Sequence, residues 1–182
     1  KIFKYEGLPV GFSICEDLWE EQYSIKPAQI LARKGARLIV NISASPYHKH
    51  VAEIRDSLIE RRAKETHAYL VYVNQVGGQD DLIFDGRSLV ATPEGKIIFR
   101  GETFKEGLYE VPLDFSAKTA LRPVPLEVDY SREMYQALVT GLGDYVRKNG
   151  FRRVVMGLSG GIDSALTAAI ATDALGPRAV IG

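Results

Sequence analysis

The sequence predicts an α/β protein in two parts joined by a linker, on three observations. Over residues 1–113, apolar runs of strand length alternate with segments of helical periodicity, as in sheets with helical crossovers. At residues 154–168, an apolar strand, a glycine-rich turn and an alanine-rich helix follow one another, which is half of a doubly wound parallel sheet. Between these parts, residues 114–130 contain Pro123 and Pro125 and show no sustained period, as is typical of an interdomain linker. We therefore expect one domain at residues 1–113 and a second at 131–182.

The composition is that of an ordinary globular protein: 46% of the 182 residues are hydrophobic and 25% are charged. Because 23 basic residues balance 23 acidic ones, we expect no binding site for nucleic acid or for a membrane surface. The apolar runs are shorter than the roughly 20 residues of a spanning helix, and residues 1–10 lack the architecture of a signal peptide. The single cysteine excludes an intrachain disulfide and suits a reducing compartment, so we expect a cytoplasmic protein.

Both ends of the sequence lie inside predicted strands. The chain opens in one strand, and residues 179–182 form the second strand of a parallel βαβ unit. We therefore expect a fragment of a longer protein.

The first elements place the cysteine at a strand end. Residues 8–15 form a short apolar strand that ends at Cys15 and is followed by the acidic run 16–21. A helix over residues 23–34 and a buried strand over 36–42 come next. The inward positions predicted for that helix are Ile25, Ile30 and Leu31. Strand ends carry catalytic groups in such sheets, so Cys15 is a candidate nucleophile, although a cysteine in a buried strand is also a common small hydrophobe.

The next elements bring a polar loop to the same edge of the sheet. Residues 41–50, NISASPYHKH, follow the second strand, and a helix over 51–67 is predicted to turn its charged side chains, Arg55 among them, to solvent. A third strand covers 68–75, and residues 82–90 pair with 96–101 around a turn at 92–95. His48 and His50 lack a third ligand nearby, so we predict solvated loop histidines and no metal site there.

Four motifs in this part, taken in order, resemble the nitrilase superfamily of carbon–nitrogen hydrolases. They are SICEDLWE around Cys15, the N-x-S-x-S-P loop at 41–46, the V-x-V-N-Q-x-G strand at 71–77 and the hairpin of form F-x-G-x-S-x-x-x-x-P-x-G at 84–95. The resemblance covers about residues 1–113 and is specific through the order of the four motifs. It implies an αββα sandwich, of which this chain supplies the C-terminal part.

The resemblance also implies a Glu-Lys-Cys triad in which Cys15 is the nucleophile, the lysine lowers the pKa of the thiol and the glutamate moves protons. In the family the glutamate and the lysine precede the nucleophile strand, so we expect both to lie outside this chain and the isolated chain to be an incomplete hydrolase. The family's substrate contacts fall on Glu16, Ser43 and Ser45 of this sequence. The alternative for these three residues is that they stabilise their loops.

The second domain is predicted to begin with a helix capped by Ser131 and ended by Gly150. Its inward face is predicted to be Met134, Leu138, Leu142, Tyr145 and Val146. Gly141 and Gly143 weaken a helix by about 1 kcal/mol each, so we expect close packing against a neighbouring element there.

The turn that follows the next strand is built to hold phosphate. In residues 159–164, SGGIDS, two glycines let backbone N–H groups approach a ligand, and the helix that follows offers its unpaired N–H groups and positive dipole end. Ser159 and Ser164 add hydroxyl donors. No lysine follows, so this is not the GxxxxGK[ST] loop.

SGGIDS resembles the pyrophosphatase loop of the PP-loop ATPases, which bind ATP, transfer AMP and release pyrophosphate. The resemblance assigns ATP binding to Ser159, Gly160, Gly161, Ile162, Asp163 and Ser164. A carboxylate beside phosphates is repulsive unless a divalent cation lies between them, so Asp163 is a candidate Mg²⁺ ligand. The alternative is an ordinary turn in which Asp163 caps the helix.

A nitrilase-type glutaminase placed ahead of SGGxDS resembles the glutamine-dependent NAD synthetase family. The resemblance implies glutamine, nicotinic acid adenine dinucleotide and ATP as substrates, Mg²⁺ as cofactor and a homo-oligomer. One alternative is a nitrilase-like amidase joined to a PP-loop ATPase with another acceptor, such as a transfer RNA, against which the neutral charge balance argues. The other alternative is a non-catalytic assembly fragment.

Overall fold

The computed structural model describes residues 1–116 and 121–182, so part of the predicted linker at 114–130 lies outside the described residues. The strands are β1 (Ile2–Tyr5), β2 (Leu8–Ile14), β3 (Leu38–Ser43), β4 (Tyr69–Asn74), β5 (Val76–Gln79), β6 (Leu82–Asp85), β7 (Leu89–Ala91), β8 (Ile97–Arg100), β9 (Val154–Val155) and β10 (Val180–Ile181). The helices are α1 (Pro27–Arg33), α2 (Val51–Thr66), α3 (Tyr130–Lys148) and α4 (Ile162–Leu175). Strands and helices alternate as predicted, so the α/β class is confirmed.

The first part is built on a six-stranded sheet of order β1-β2-β3-β4-β7-β8. Strands β2, β3 and β4 are parallel, and the remaining pairings are antiparallel. Helices α1 and α2 share one core with the sheet, and its fully buried members include Leu18, Ile39, Ile59 and Leu70. The parallel strands therefore all end at the edge where Cys15 lies.

The opposite face of this sheet is apolar and exposed. Phe12, Ile14, Ile42 and Val73 alternate with core residues along β2, β3 and β4 and remain accessible. The described residues therefore supply one helical layer and one sheet of the αββα arrangement, with β5 and β6 forming a separate hairpin.

The helix predicted over 23–34 begins only at Pro27, so its predicted start is wrong. Proline disfavours helical geometry in the residue before it but suits the first helical position, which it occupies here. Residues between the cysteine and this helix form two short 3₁₀ turns, Cys15–Leu18 and Glu20–Gln22. Ile25 is consequently exposed, whereas Leu31 is buried as predicted.

The predicted turn at 92–95 is confirmed, because the amide of Gly95 donates to the carbonyl of Thr92 at 2.8 Å and joins β7 to β8. The prediction that residues 82–85 belong to the same hairpin is wrong. Those residues form β6, which pairs with β5 instead.

In the second part, α3 begins one residue before Ser131. Asp129 is its N-cap and accepts a hydrogen bond from the amide of Arg132 at 3.1 Å, so the predicted cap is wrong. Of the predicted inward face, Val146 is buried as predicted, whereas Met134, Leu138 and Tyr145 are about half exposed, so the prediction is wrong for these three residues.

The buried side of α3 is the one with small residues, and it packs against β5 and β6. A Cβ added to Gly78 would lie 3.1 Å from the Cα of Gly141, and a Cβ on Gly141 would lie 2.8 Å from Cδ1 of Ile83. The close packing predicted for Gly141 is therefore confirmed. Gly143 instead faces the side chain of Arg147.

The strand, turn and helix predicted at the C-terminal end are present. β9 and β10 are parallel neighbours, and α4 connects them and ends before Gly176 and Pro177. Within the described residues, none of the helices has the length and hydropathy needed to cross a membrane.

Candidate functional site

Cys15 follows the last residue of β2 and begins the 3₁₀ turn Cys15–Leu18. Its φ is +40°, in the left-handed region that non-glycine residues occupy at a cost of about 1–3 kcal/mol. The thiol is free, and the residue is only partly buried. Such strain at an accessible strand end favours a catalytic role over that of a small core hydrophobe.

Hydrogen bonds from both sides hold the cysteine in this conformation. The amide of Ile14 donates to Oδ2 of Asp17 at 2.8 Å. Nδ2 of Asn41, a fully buried residue of β3, lies 3.0 Å from Oγ of Ser13 and 3.5 Å from the carbonyl oxygen of Cys15. Leu18 anchors the end of the turn in the core, where it is fully buried. The turn is therefore fixed by its neighbours.

The predicted substrate contacts fall into two groups. Ser43 and Ser45 are each 6% exposed and already bonded within the protein. Oγ of Ser43 donates to Oδ1 of Asn41 at 2.5 Å, while Oγ of Ser45 accepts from Nε of Arg55 at 3.2 Å. Glu16 is exposed and accepts a hydrogen bond from the hydroxyl of Tyr23 at 3.2 Å. Glu16 is thus accessible to a ligand, and the hydroxyls of the two serines are bonded within the protein. Substrate contact by these three residues stays a prediction.

Arg55 was predicted on a solvated helix face, and this prediction is wrong. It is fully buried and donates to Oδ1 of Asp85 at 2.6 Å and to the carbonyl of Ser45 at 2.7 Å. Helical periodicity did not reveal it, because its partners lie in a distant loop and strand. Asp85 is a carboxylate at the end of the short, otherwise apolar strand β6. This position in the sequence indicates a buried basic partner.

The buried charges continue from Asp85 to the second part of the chain. Nε of Arg87 lies 3.8 Å from Oδ2 of Asp85, and the same guanidinium pairs with Glu133 on α3. Burial raises the pKa of Glu133, an effect that the positive charge of Arg87 opposes. A chain of ionic contacts therefore runs from the Ser45 loop to α3.

The two loop histidines are engaged with ordinary partners. Nδ1 of His50 lies 2.9 Å from the hydroxyl of Tyr130, and Nδ1 of His48 lies 3.0 Å from the carbonyl of Lys49. In the described ranges, no group of three or more His, Cys, Asp and Glu side chains has the arrangement of a metal site.

The glycine-rich loop lies open at the start of α4. Gly160 has a φ of +82°, and a Cβ there would meet nothing within 4 Å. The hydroxyls of Ser159 and Ser164 lie 3.1 Å apart on this loop. Gly161 is the N-cap of α4 and supplies no side-chain bond, so N–H groups at this helix start remain available to an anion.

Asp163 lies in the first turn of α4 rather than at its cap, so the capping alternative is wrong. Asp163 is exposed. Among the described residues, no hydrogen bond or ion pair involves its carboxylate, and only its backbone carbonyl accepts a bond, from Thr167. An unengaged carboxylate beside open amides and two hydroxyls suits a phosphate group with a hard divalent cation.

Comparison with known protein families matches two family models to successive stretches of the chain. Residues 1–123 match the family model of carbon-nitrogen hydrolases, and residues 134–182 match that of NAD synthase.

Named relatives cover nearly the whole chain. This chain is 45% identical over 189 residues to the glutamine-dependent NAD(+) synthetase of Synechocystis sp., and the match covers 99% of this chain and 34% of that protein. It is 40% identical over 213 residues to the protein of the same name from Aquifex aeolicus, covering 100% of this chain and 37% of the relative. The chain thus spans about a third of the length of these relatives.

Solved structures give the same picture. The glutamine-dependent NAD+ synthetase from Acinetobacter baumannii, in complex with adenosine diphosphate, matches with a TM-score of 0.87 and 41% identity, over 99% of this chain and 34% of that one. The one from Cytophaga hutchinsonii matches with a TM-score of 0.72 and 26% identity, over 98% of this chain and 28% of that one. Each match takes in both parts of the chain.

Proposed function

This chain belongs to the carbon-nitrogen hydrolase family, and from that membership we propose that it takes part in glutamine-dependent synthesis of NAD. The observation that carries the proposal is the presence of two features in one chain. The first is Cys15, whose backbone is strained, at the end of a parallel strand, and the second is the open SGGIDS loop with the unengaged carboxylate of Asp163. The first feature suits amide hydrolysis and the second suits ATP. Relatives that cover almost all of the chain bear the name of this activity.

In the first reaction, the thiolate of Cys15 attacks the side-chain amide carbon of glutamine. The C–N bond breaks, the nitrogen leaves as ammonia after taking up a proton, and a thioester of glutamate remains on the sulfur. Water then hydrolyses the thioester and restores the thiol. Glu16, exposed beside the cysteine, is proposed to bind the amino group of glutamine, and Ser43 and Ser45 are proposed to shape the pocket through their bonds to Asn41 and Arg55.

In the second reaction, the carboxylate of nicotinic acid adenine dinucleotide attacks the α-phosphorus of ATP, and pyrophosphate leaves. Ammonia then displaces AMP from the acyl carbon and forms the carboxamide of NAD. Ser159, Ser164 and the amides of Gly160, Gly161 and Ile162 are proposed to bind the departing pyrophosphate. Mg²⁺, held by Asp163, would supply charge stabilisation on those phosphate oxygens.

Three further properties belong to this proposal. The sole cysteine must stay reduced to act as a nucleophile, which favours a cytoplasmic location. The full-length protein is proposed to be a homo-oligomer, as the family resemblance implies. The glutamate and lysine of the triad are not assigned to residues of this chain.

The test is isotopic and uses the full-length protein with Mg²⁺, ATP, nicotinic acid adenine dinucleotide and glutamine labelled with ¹⁵N in the side-chain amide. The expected product is NAD with ¹⁵N in its carboxamide, detected by mass spectrometry, with AMP and pyrophosphate formed in equal amounts. Formation of ADP, or of NAD without the label, would contradict the proposal. AMP formation that needs another acceptor in place of the dinucleotide would favour the alternative PP-loop enzyme.

A further inference from the structure

Arg62 of α2 contacts the end of the turn that begins at Cys15. The residue is 3% exposed, and its Nε donates to the carbonyl oxygen of Leu18 at 2.9 Å. Leu18 ends that turn, and carbonyls at the end of a helical turn have no partner within it. Arg62 therefore binds a backbone group that the turn cannot satisfy, three residues from the thiol.

The same guanidinium faces the acidic side chains that follow the turn. It donates to Oε2 of Glu65 at 2.7 Å, lies 3.6 Å from Oε1 of Glu20 and 3.5 Å from Oε1 of Glu21. Glu20 is fully buried, and among the described residues no side chain donates a hydrogen bond to its carboxylate. A buried carboxylate of this kind needs a nearby cation, and Arg62 supplies it.

Several charges act on Glu20 from the elements around it. Burial raises the pKa of Glu20. The positive charge of Arg62, a backbone hydrogen bond from Ala28 and the positive charge of Lys26 oppose that rise, and Glu65 adds to it. Lys26 also donates to the backbone carbonyl of Glu20. Arg62 on α2 and Lys26, just before α1, thus both hold the segment after Cys15.

We propose that Arg62 is a positioning residue for Cys15: through Leu18 and Glu20 it fixes the turn that presents the thiol at the sheet edge. The left-handed backbone of Cys15 is not favoured by the residue itself, so its surroundings must impose it. Asn41 holds the turn from the side of β3, and Arg62 holds it from the side of α2. The effect on catalysis rests on the proposed glutaminase function.

Lysine cannot replace this arginine. The planar guanidinium donates to Leu18 through Nε and to Glu65 through Nη1 at the same time. An ammonium group has a single nitrogen and cannot place two donors in this way. A lysine would still neutralise Glu20. The Arg62→Lys variant therefore separates the positioning bond from the buried charge.

The experiment compares Arg62→Lys and Arg62→Gln in the full-length protein with Arg61→Gln as the matched control. Arg61 is the neighbouring arginine on α2, is half exposed and pairs with Glu21 of the same segment. For Arg62→Lys we expect kcat of glutamine-supported NAD synthesis to fall at least about tenfold, because small misplacement of a reacting group has effects of that size. Ammonia-supported synthesis and the KM for glutamine should change by less than about threefold, and Arg61→Gln should leave both activities within about twofold, as expected for an exposed ion pair.

A second measurement follows Cys15 in the full-length protein, by mass spectrometry of the peptide that contains this residue. The rate at which iodoacetamide alkylates the thiol of Cys15 should change several-fold in Arg62→Lys and stay at the wild-type value in Arg61→Gln. If Arg62→Gln does not fold, Arg62→Lys alone decides. Wild-type glutamine-supported kcat in Arg62→Lys, or equal loss of glutamine- and ammonia-supported activity, would overturn the positioning role. Absence of glutamine-supported synthesis in the wild-type protein would instead refute the proposed function.

Discussion

Cys15 and Asp163 are the two residues on which the proposed chemistry depends, and each lies where a strand or turn gives way to a helix. Cys15 has a backbone conformation that only its surroundings can maintain. Asp163 has a carboxylate without a partner among the described residues, in the first turn of a helix whose N-cap is a glycine. Both side chains are therefore available to a ligand.

Asp163→Asn in the full-length protein tests the phosphate site. The amide keeps the size of the side chain but removes its charge, so the melting temperature should stay within a few degrees of the wild-type value. Glutamine- and ammonia-supported synthesis should both fall at least about a hundredfold, because a metal's stabilisation of a leaving phosphate amounts to several kcal/mol. Raising the Mg²⁺ concentration should restore part of the loss.

The matched control for this substitution is Asp173→Asn, which lies at the other end of α4 and accepts a hydrogen bond from Tyr135 at 2.7 Å. That variant should keep both activities. If Asp163→Asn keeps its turnover, Asp163 is not a metal ligand and the phosphate assignment is wrong.

Individual residues differ in how far the sequence revealed their roles. Cys15 and the SGGIDS loop could be predicted as candidates, because the pattern that marks each of them lies in neighbouring residues of the sequence. Arg55 and Arg62 were missed, because a helical pattern assigns charges to the solvated face, and their partners Asp85 and Leu18 lie far away in the chain. Ser43 and Ser45 occupy the predicted edge, yet their hydroxyls bond within the protein, which no local pattern shows.

At the scale of elements, the turn between β7 and β8 packs closely on α2. Gly95 has a φ of +75°, and a Cβ there would lie 2.6 Å from the carbonyl oxygen of Glu60 and 2.5 Å from Cε of Lys64. A helix backbone cannot move away as a side chain can. This contact fixes α2 against the sheet, and α2 also carries Arg55 and Arg62.

Gly95→Ala should therefore destabilise the protein more than the positive φ alone requires. Gly35→Ala is the matched control, since Gly35 has a φ of +90° and open space around it. Each variant should lose roughly 1–2 kcal/mol for the left-handed backbone, and Gly95→Ala should lose about 1–3 kcal/mol more for overlap with α2. Urea unfolding followed by circular dichroism measures both, and equal losses would show that the turn and the helix can separate freely.

Element type was easier to predict than element ends or partners. The parallel strands, α2 and α4 follow from hydrophobic periodicity and from glycine and proline at their ends. The start of α1 was predicted too early, because Pro27 fixes the first helical position although the apolar pattern extends further back. The pairing of β6 with β5 was missed, because the pattern of a single strand does not encode its pairing partner. The inward face of α3 was predicted correctly at Val146 but not at Met134, Leu138 and Tyr145, because the small residue Gly141 makes the contact with the hairpin.

At the scale of the whole molecule, α3 connects the two parts of the chain. The amide of Gly78 donates to Oδ2 of Asp144 at 2.8 Å, which joins β5 to α3. Arg87, which is almost fully buried, pairs with Glu133 near the start of the same helix. The second part is thus attached to the first through several contacts of α3, among them this hydrogen bond and the buried ion pair.

Glu133→Ala should weaken this attachment strongly, because it leaves the buried guanidinium of Arg87 with long contacts to Asp85 at 3.8 Å and to the carbonyl oxygen of Glu127 at 3.5 Å. Removing one partner of a buried pair typically costs about 3–5 kcal/mol. The matched control is Glu102→Ala, whose pair with Lys105 is exposed, so its loss should change the free energy of unfolding far less. Urea unfolding of the chain measures the difference, and similar losses in the two variants would contradict a role for the buried pair in joining the parts.

The measurement that tests the proposed function most directly compares glutamine- and ammonia-supported NAD synthesis in the full-length Cys15→Ala variant. The thiol is needed only to release ammonia from glutamine, so glutamine-supported synthesis should fall by about a thousandfold or more, as expected when a nucleophile is removed. Ammonia-supported synthesis should remain within about twofold of the wild-type rate, because that reaction bypasses the thiol and uses the SGGIDS loop alone. Equal loss of the two activities, or full retention of the glutamine-supported one, would show that Cys15 is a packing residue and that the two parts of the chain do not divide the chemistry in this way.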